Sequence, residues 1–144
     1  MSRVLVPYDG SELSTAALEF ALEDAVETDA TVVALYVVEP FPDHTDAALT
    51  DREGKWQDRV EERAEAVFEV IRTVADETVD DDVDLEMEWR YGSPRYKIID
   101  ALEGEDVDQV VMGSHGRDGI ERLILGSVAE HVMRRADVPV TVVR

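Results

Sequence analysis

Cysteine is absent from the 144 residues, which excludes disulfides, thiolate metal sites and cysteine nucleophiles. Lysine is nearly absent as well: Lys55 and Lys97 are the two, and the other 12 basic residues are arginine. Long apolar runs are missing. The longest stretch without a charge is the nine residues from Ala30 to Val38, far short of the roughly 20 that span a bilayer. The N-terminus enters an apolar strand pattern directly, without a signal-peptide layout, so a soluble and cytoplasmic protein is expected. Basic charge is scarce overall, with 14 Lys plus Arg against 34 Asp plus Glu and a net charge of -20. Neutralising a phosphate backbone needs a basic face, so nucleic acid is not the expected partner.

Several enzyme signatures are missing too. There is no GxxxxGK[ST] loop, neither lysine follows a glycine-rich loop, and no GxGxxG follows the first strand, which disfavours a P-loop NTPase and a dinucleotide dehydrogenase. His44, His115 and His131 have no metal-ligand spacing. Ser114-His115 is not a hydrolase pair, because adjacent residues rarely face each other and no G-x-S-x-G turn surrounds the serine.

What is present fits one folded domain spanning 1–144. A chain of this length buries a continuous core without staples, and 44% hydrophobic residues is too apolar for disorder. The acidic surplus spreads along every predicted helix, where it would be self-repelling at low salt, and molar salt shortens its range to about 3 Å. That composition points to a salt-rich cytoplasm such as that of a halophilic archaeon; a moderately acidic mesophilic protein is the alternative.

Val4-Leu5-Val6 reads as a buried strand, closed by Pro7 and a turn at Asp9-Gly10. Ser11 is the expected N-cap of a helix on which Leu13, Ala17, Phe20 and Ala21 recur to about Val26, with Glu12, Glu19, Glu23 and Glu27 toward water. Thr31 to Val38 is a second buried strand, and Glu39 to Thr50 a loop of the length used for lids. Trp56, Val60, Ala64, Val67, Ile71 and Val74 mark a long amphipathic helix. Leu85, Met87 and Trp89 alternate with Glu86, Glu88 and Arg90, the pattern of a strand near a sheet edge. Ser93-Pro94 opens a helix that Gly104 ends. A fourth strand at Asp108 to Met112, a loop from Gly113, a helix from about Gly126 and a last strand at Val138 to Val143 complete the chain. The order predicts an open parallel five-stranded α/β sheet with helices on both faces, Rossmann-like, whose ligands bind beyond the strand carboxyl ends where strand order reverses.

Two motifs occupy those ends. Gly113-Ser114-His115-Gly116 is followed by nine residues and then Gly126-Ser127. Glycines let backbone N–H groups approach a phosphate, and a helix beginning at Gly126 aims its unpaired N–H groups and positive dipole end at the same region. Loop-forming glycines without a ligand are the plainer alternative. Residues 113–144 carry a net charge of +1, so the other 112 carry -21, which leaves the field near this loop compatible with an anion. Arg134 and Arg135 are better read as complementing a helix C-terminus. His115 either approaches a phosphate or faces solvent. Asp9, in the second motif, suits an adenine amino group, a ribose hydroxyl or a divalent cation, and equally a turn or helix cap.

These residues resemble the universal stress protein family along the whole chain: Val6-Pro7-Tyr8-Asp9-Gly10-Ser11, Leu35-Tyr36-Val37-Val38, Gly92-Ser93-Pro94, Met112-Gly113-Ser114-His115-Gly116 and Leu125-Gly126-Ser127-Val128. The glycine spacing matches the family's ATP-binding branch. The resemblance implies that Asp9 and the backbone of Val37 hold adenine, that Pro7 and Gly113 lie by the ribose, and that Met112, Gly116, Arg117, Gly126, Ser127 and Val128 lie near the phosphates; Mg²⁺ or Mn²⁺ is the ion that would come with ATP. It also implies a homodimer joined through the final strand. Tyr36 departs from the family, many of whose members have His there. The function expected is an ATP-binding regulatory module of the stress response. A slow ATPase or phosphotransferase is the enzyme alternative, with Asp9 the sole evident base, and a nucleotide-independent dimeric interaction protein is the third reading.

Overall fold

A computed structural model describes residues 2–40, 55–80, 82–115 and 125–144. Five parallel strands, β1 (Arg3–Pro7), β2 (Thr31–Val38), β3 (Asp84–Tyr91), β4 (Gln109–Gly113) and β5 (Val140–Val143), form one sheet in the order β3-β2-β1-β4-β5. Four helices connect or flank them: α1 (Glu12–Thr28), α2 (Lys55–Thr78), α3 (Pro94–Gly104) and α4 (Ser127–Arg135).

The side-chain period of two splits the strands between two cores. Val4, Val6, Val32, Ala34 and Val38 pack with Leu18 and Leu22 of α1 and Val60, Ala64, Phe68 and Ile71 of α2. Leu5, Val33, Leu35, Val110 and Met112 pack on the other face with Ile98 and Ala101 of α3 and Ala129 and Val132 of α4. Covered on both faces, β1 and β2 are therefore near-continuous apolar runs. The alternating β3 lies at a sheet edge, as its pattern predicts.

α1 begins where expected, with the Ser11 hydroxyl accepting from the N–H of Ser14 at 3.2 Å, a cap worth about 1 kcal/mol. It runs two residues past the expected Val26 and ends at Asp29, whose φ of 60° places it in the left-handed region. Its buried stripe is Ser14, Ala17, Leu18, Ala21, Leu22 and Ala25, so Phe20, placed by spacing among the apolar positions, is exposed instead. α3 ends at Gly104, but the cap is the extended Glu105, donating its N–H to the Ala101 carbonyl. β5 starts two residues later than expected, because Pro139 precedes it and contributes only its carbonyl, which accepts from Val110.

Charged side chains cross the second face, from Arg3 at the start of β1 to Arg90 near the end of β3. Arg3 forms two 3.0 Å hydrogen bonds with Glu86, which hold that carboxylate below its ordinary range. Beside them Glu88 of β3 and Glu105 after α3 share Arg90, at 3.8 and 3.6 Å, and each keeps a buried oxygen without a hydrogen bond. Desolvation, then the neighbouring Glu105, push the Glu88 carboxyl from 4.5 to about 7, against the pull of Arg90 and Arg3. The folded chain thus binds a proton that the unfolded chain releases above about 4.5. The resulting stabilisation is full below that pH and is lost as pH rises through about 7. Glu88→Gln is expected to raise stability at pH 8 by about 1 kcal/mol, a value discounted for solvent screening. At pH 5 it should leave stability nearly unchanged, and urea midpoints at the two pH values check this.

Candidate functional site

Strand order reverses between β1 and β4, with β2 and β3 on one side of β1 and β4 and β5 on the other. The helices that follow β1 and β4 accordingly pack on opposite faces, α1 on the first core and α4 on the second, and the carboxyl ends between such strands are where ligands of open α/β sheets bind. On the β1 side, Tyr8 is buried; its N–H donates to the Leu35 carbonyl at 2.8 Å and its hydroxyl meets Thr15 Oγ1 at 3.1 Å. Asp9 Oδ1 accepts from the Ser11 N–H at 2.9 Å, and the Asp9 N–H donates to Ser14 Oγ at 3.3 Å. The turn passes through Gly10 at φ +82°, a conformation that favours glycine. The Asp9 carboxylate thus serves the turn while standing at the strand end. β2 overruns β1: its last partner there is Leu35 opposite Pro7, so Tyr36, Val37 and Val38 continue with pairing to β3 alone. The Val37 side chain packs on the second core, and Tyr36 is buried in the first.

On the β4 side two glycines sit in tight contacts. A Cβ at Gly113 would lie 2.9 Å from Leu13 Cβ and 3.0 Å from the Leu13 carbonyl carbon, so the first turn of α1 rests on the strand end. A Cβ at Gly126 would lie 2.8 Å from the Ser114 carbonyl oxygen and 3.3 Å from His115 Cα. The Gly126 N–H donates to that carbonyl at 2.8 Å. Ser114 is buried, its N–H held by the Val143 carbonyl at 2.8 Å and its Oγ 3.1 Å from His115 Nδ1.

Protein packing alone therefore requires glycine at 113 and 126, a reason that sequence spacing does not reveal. The same contacts bring the two motifs together through Leu13, Gly113, Ser114 and Gly126. α4 then starts at Gly126 with no side chain of the described residues capping it, and the exposed Ser127 is its first residue. α1, by contrast, is capped by its own Ser11. This start of α4 leaves its first N–H groups as donors without a side-chain acceptor among the described residues, at the positive end of the helix.

Of the other expected site residues, Pro7 ends β1 and His115 is half-buried beside Gly126. The Met112 side chain lies in the core under α3 and α4, and its backbone pairs with Val142. Val128 packs against that same core. Gly116 and Arg117 lie outside the described residues, as does the expected lid loop beyond Pro40. Ser14 is the contributor that sequence reading missed: its buried hydroxyl donates to the Ser11 carbonyl at 3.1 Å and accepts from Asp9. The signal available for it was the short spacing of two serines across a helix start.

The sequence model of the universal stress protein family matches residues 1–144. The chain belongs to that family. The universal stress protein MJ0531 of Methanocaldococcus jannaschii is 34% identical over 99% of this chain and 81% of its own length. A universal stress protein of Thermus aquaticus is 30% identical over 98% and 97%. Among solved structures, that of protein MJ0577 of M. jannaschii superposes with a TM-score of 0.80 at 26% identity, covering 99% of this chain and 94% of that one.

The five-stranded parallel sheet with helices on both faces is thus the architecture of solved relatives of the universal stress protein family. No group of three or more His, Asp or Glu side chains suited to a metal ion occurs among the described residues. Nor is any helix among them long and apolar enough to cross a membrane.

Proposed function

We propose that this universal stress protein domain is a cytoplasmic regulatory module that binds an adenine nucleotide, ATP in the first instance, at the strand-order reversal. The observation that carries the reading is the contrast between the two helix starts there: α1 is closed by Ser11, whereas α4 begins at Gly126 with no side chain of the described residues capping it, packed directly on the Ser114 backbone. An anion at that start meets backbone donors and a helix dipole together. The overrun of β2 beyond β1 supports a base-binding edge at Val37, with Asp9 beside it as an acceptor for an amino group or a hydroxyl.

In this arrangement Pro7 and Gly113 line the sugar, while Gly126, Ser127 and Val128, with His115, Gly116 and Arg117, hold the phosphates, near the backbone of Met112. Mg²⁺ or Mn²⁺ would accompany the phosphates. When bound, it supplies charge neutralisation between phosphate oxygens. The protein's own contribution is binding and orientation. A homodimer through β5 fits that strand's place at the end of the sheet order. The acidic composition supports a salt-rich cytoplasm.

Isothermal titration of the full chain with ATP and Mg²⁺ in concentrated potassium chloride tests the reading. Saturable heat with one site per chain, and a rise in melting temperature, are expected. Absence of both would overturn nucleotide binding.

A further inference from the structure

On the outer side of α3 and α4 this acidic chain turns locally basic. Tyr96, in the first turn of α3, is 59% exposed. Its ring meets that of His131 on α4 edge-on, with centroids 5.5 Å apart and an interplanar angle of 84°. Arg95 of α3 and Arg135 of α4 flank the pair, and both act on His131. Its proton affinity lies below the ordinary histidine value, through partial desolvation first and then these two guanidinium groups. Neither Arg95 nor Arg135 has an ion-pair partner among the described residues. By contrast Arg3, Arg72, Arg90, Arg134 and Lys97 each meet a carboxylate.

That contrast carries weight because acidic side chains outnumber basic ones by 34 to 14, which makes a carboxylate neighbour the default for any arginine here. Two arginines without one among the described residues, on two helices, accompany an exposed tyrosine that already contacts a histidine. Exposed aromatic and arginine side chains grouped in this way are the residue types that anchor protein interfaces.

We propose that Arg95, Tyr96, His131 and Arg135 form a docking surface for an acidic segment of a partner protein. Carboxylates of the segment meet the two guanidinium groups, and an apolar side chain lies on the Tyr96–His131 pair. Charge complementarity selects a segment over a second copy of this chain. A copy seated here, without the strand pairing proposed for β5, would set -20 against -20, while the favourable guanidinium–carboxylate contact acts at contact distance, within the Debye length of about 3 Å at molar salt. A short segment carries its charge only where the arginines are.

The test uses the full chain and a short fluorescein-labelled peptide of glutamates around one phenylalanine, followed by anisotropy. Saturable binding is expected, weakened about tenfold or more by high salt and lost when glutamines replace the glutamates. The R95E/R135E variant, with unchanged circular dichroism, should lose binding; R95Q/R135Q serves if charge reversal impairs folding. Tyr96→Ala should weaken binding about tenfold, whereas Tyr96→Phe should not. In NMR titrations the His131 ring should gain proton affinity when the peptide binds, because a carboxylate then offsets the guanidinium field. No saturable binding, or equal binding by R95E/R135E, would overturn the proposal. So would peptide-independent self-association that R95E/R135E abolishes, since the face would then belong to a second copy.

Discussion

Gly113→Ala should lower unfolding free energy by about 2 kcal/mol or more. The new Cβ would fall 2.9 Å from Leu13 Cβ and 3.0 and 3.2 Å from the backbone carbon and oxygen of that residue. Backbone atoms in the first turn of α1 cannot rotate aside as a side-chain tip can. Their retreat would lift α1 from β4, and α1 also carries Leu18 and Leu22 into the core. Urea denaturation measures the loss, and for a chain of this size each 1 kcal/mol lowers Tm by roughly 2–4 °C. Leu13→Ala in the same chain should give no rescue, since Cβ and the carbonyl remain where they were. Full rescue would show that the contact is with the side chain beyond Cβ and would refute the packing account.

Ser127→Asp should separate folding from ligand binding. An acidic side chain in the first turn of a helix interacts favourably with the dipole, by about 0.3–1 kcal/mol at an exposed position. Ser127 is exposed at the start of α4, with no side chain of the described residues capping it. The variant should therefore fold at least as stably as the parent. The same charge occupies the place assigned to phosphate, so ATP affinity should fall about tenfold or more, equivalent to about 1.4 kcal/mol. Ser127→Ala, which removes one hydroxyl and adds no charge, should cost much less. Titration calorimetry and thermal melts on the three proteins give both readouts. Equal ATP affinity in Ser127→Asp and the parent would remove α4 from the site.

The two packing contacts bear on how a glycine motif is read. Spacing alone suggested that Gly113, Gly116 and Gly126 expose main-chain donors to an anion. Gly113 and Gly126 prove necessary before any ligand is considered, one to seat α1 on β4 and the other to seat α4 on the Ser114 backbone. The two roles are compatible, because the second contact is what brings this helix start to the strand end. Asp9 likewise holds the Ser11 N–H while standing at the β1 terminus.

Local chemistry made much of the fold legible. The buried runs of β1 and β2 are apolar because both faces are covered, the alternation in β3 reports an edge, and Ser11 announces α1 by its hydroxyl. Boundaries were less legible where long-range partners decide them. β5 begins only where Val140 finds Val110, and Phe20 is turned outward because Leu18 and Leu22 take the sheet-facing positions.

Charge, the absence of cysteine, the strand and helix order and the positions of the two motifs belong to the sequence by itself, because each follows from residue type and spacing. The tertiary structure alone decided that those motifs meet through Leu13, that α4 starts at Gly126 against Ser114, that Glu88 and Glu105 crowd one arginine, and that Tyr96 and His131 stand together beside guanidinium groups that meet no carboxylate among the described residues. The physical reason is separation along the chain: each of these contacts joins elements that only the sheet order brings side by side, and no periodicity within a single element encodes it.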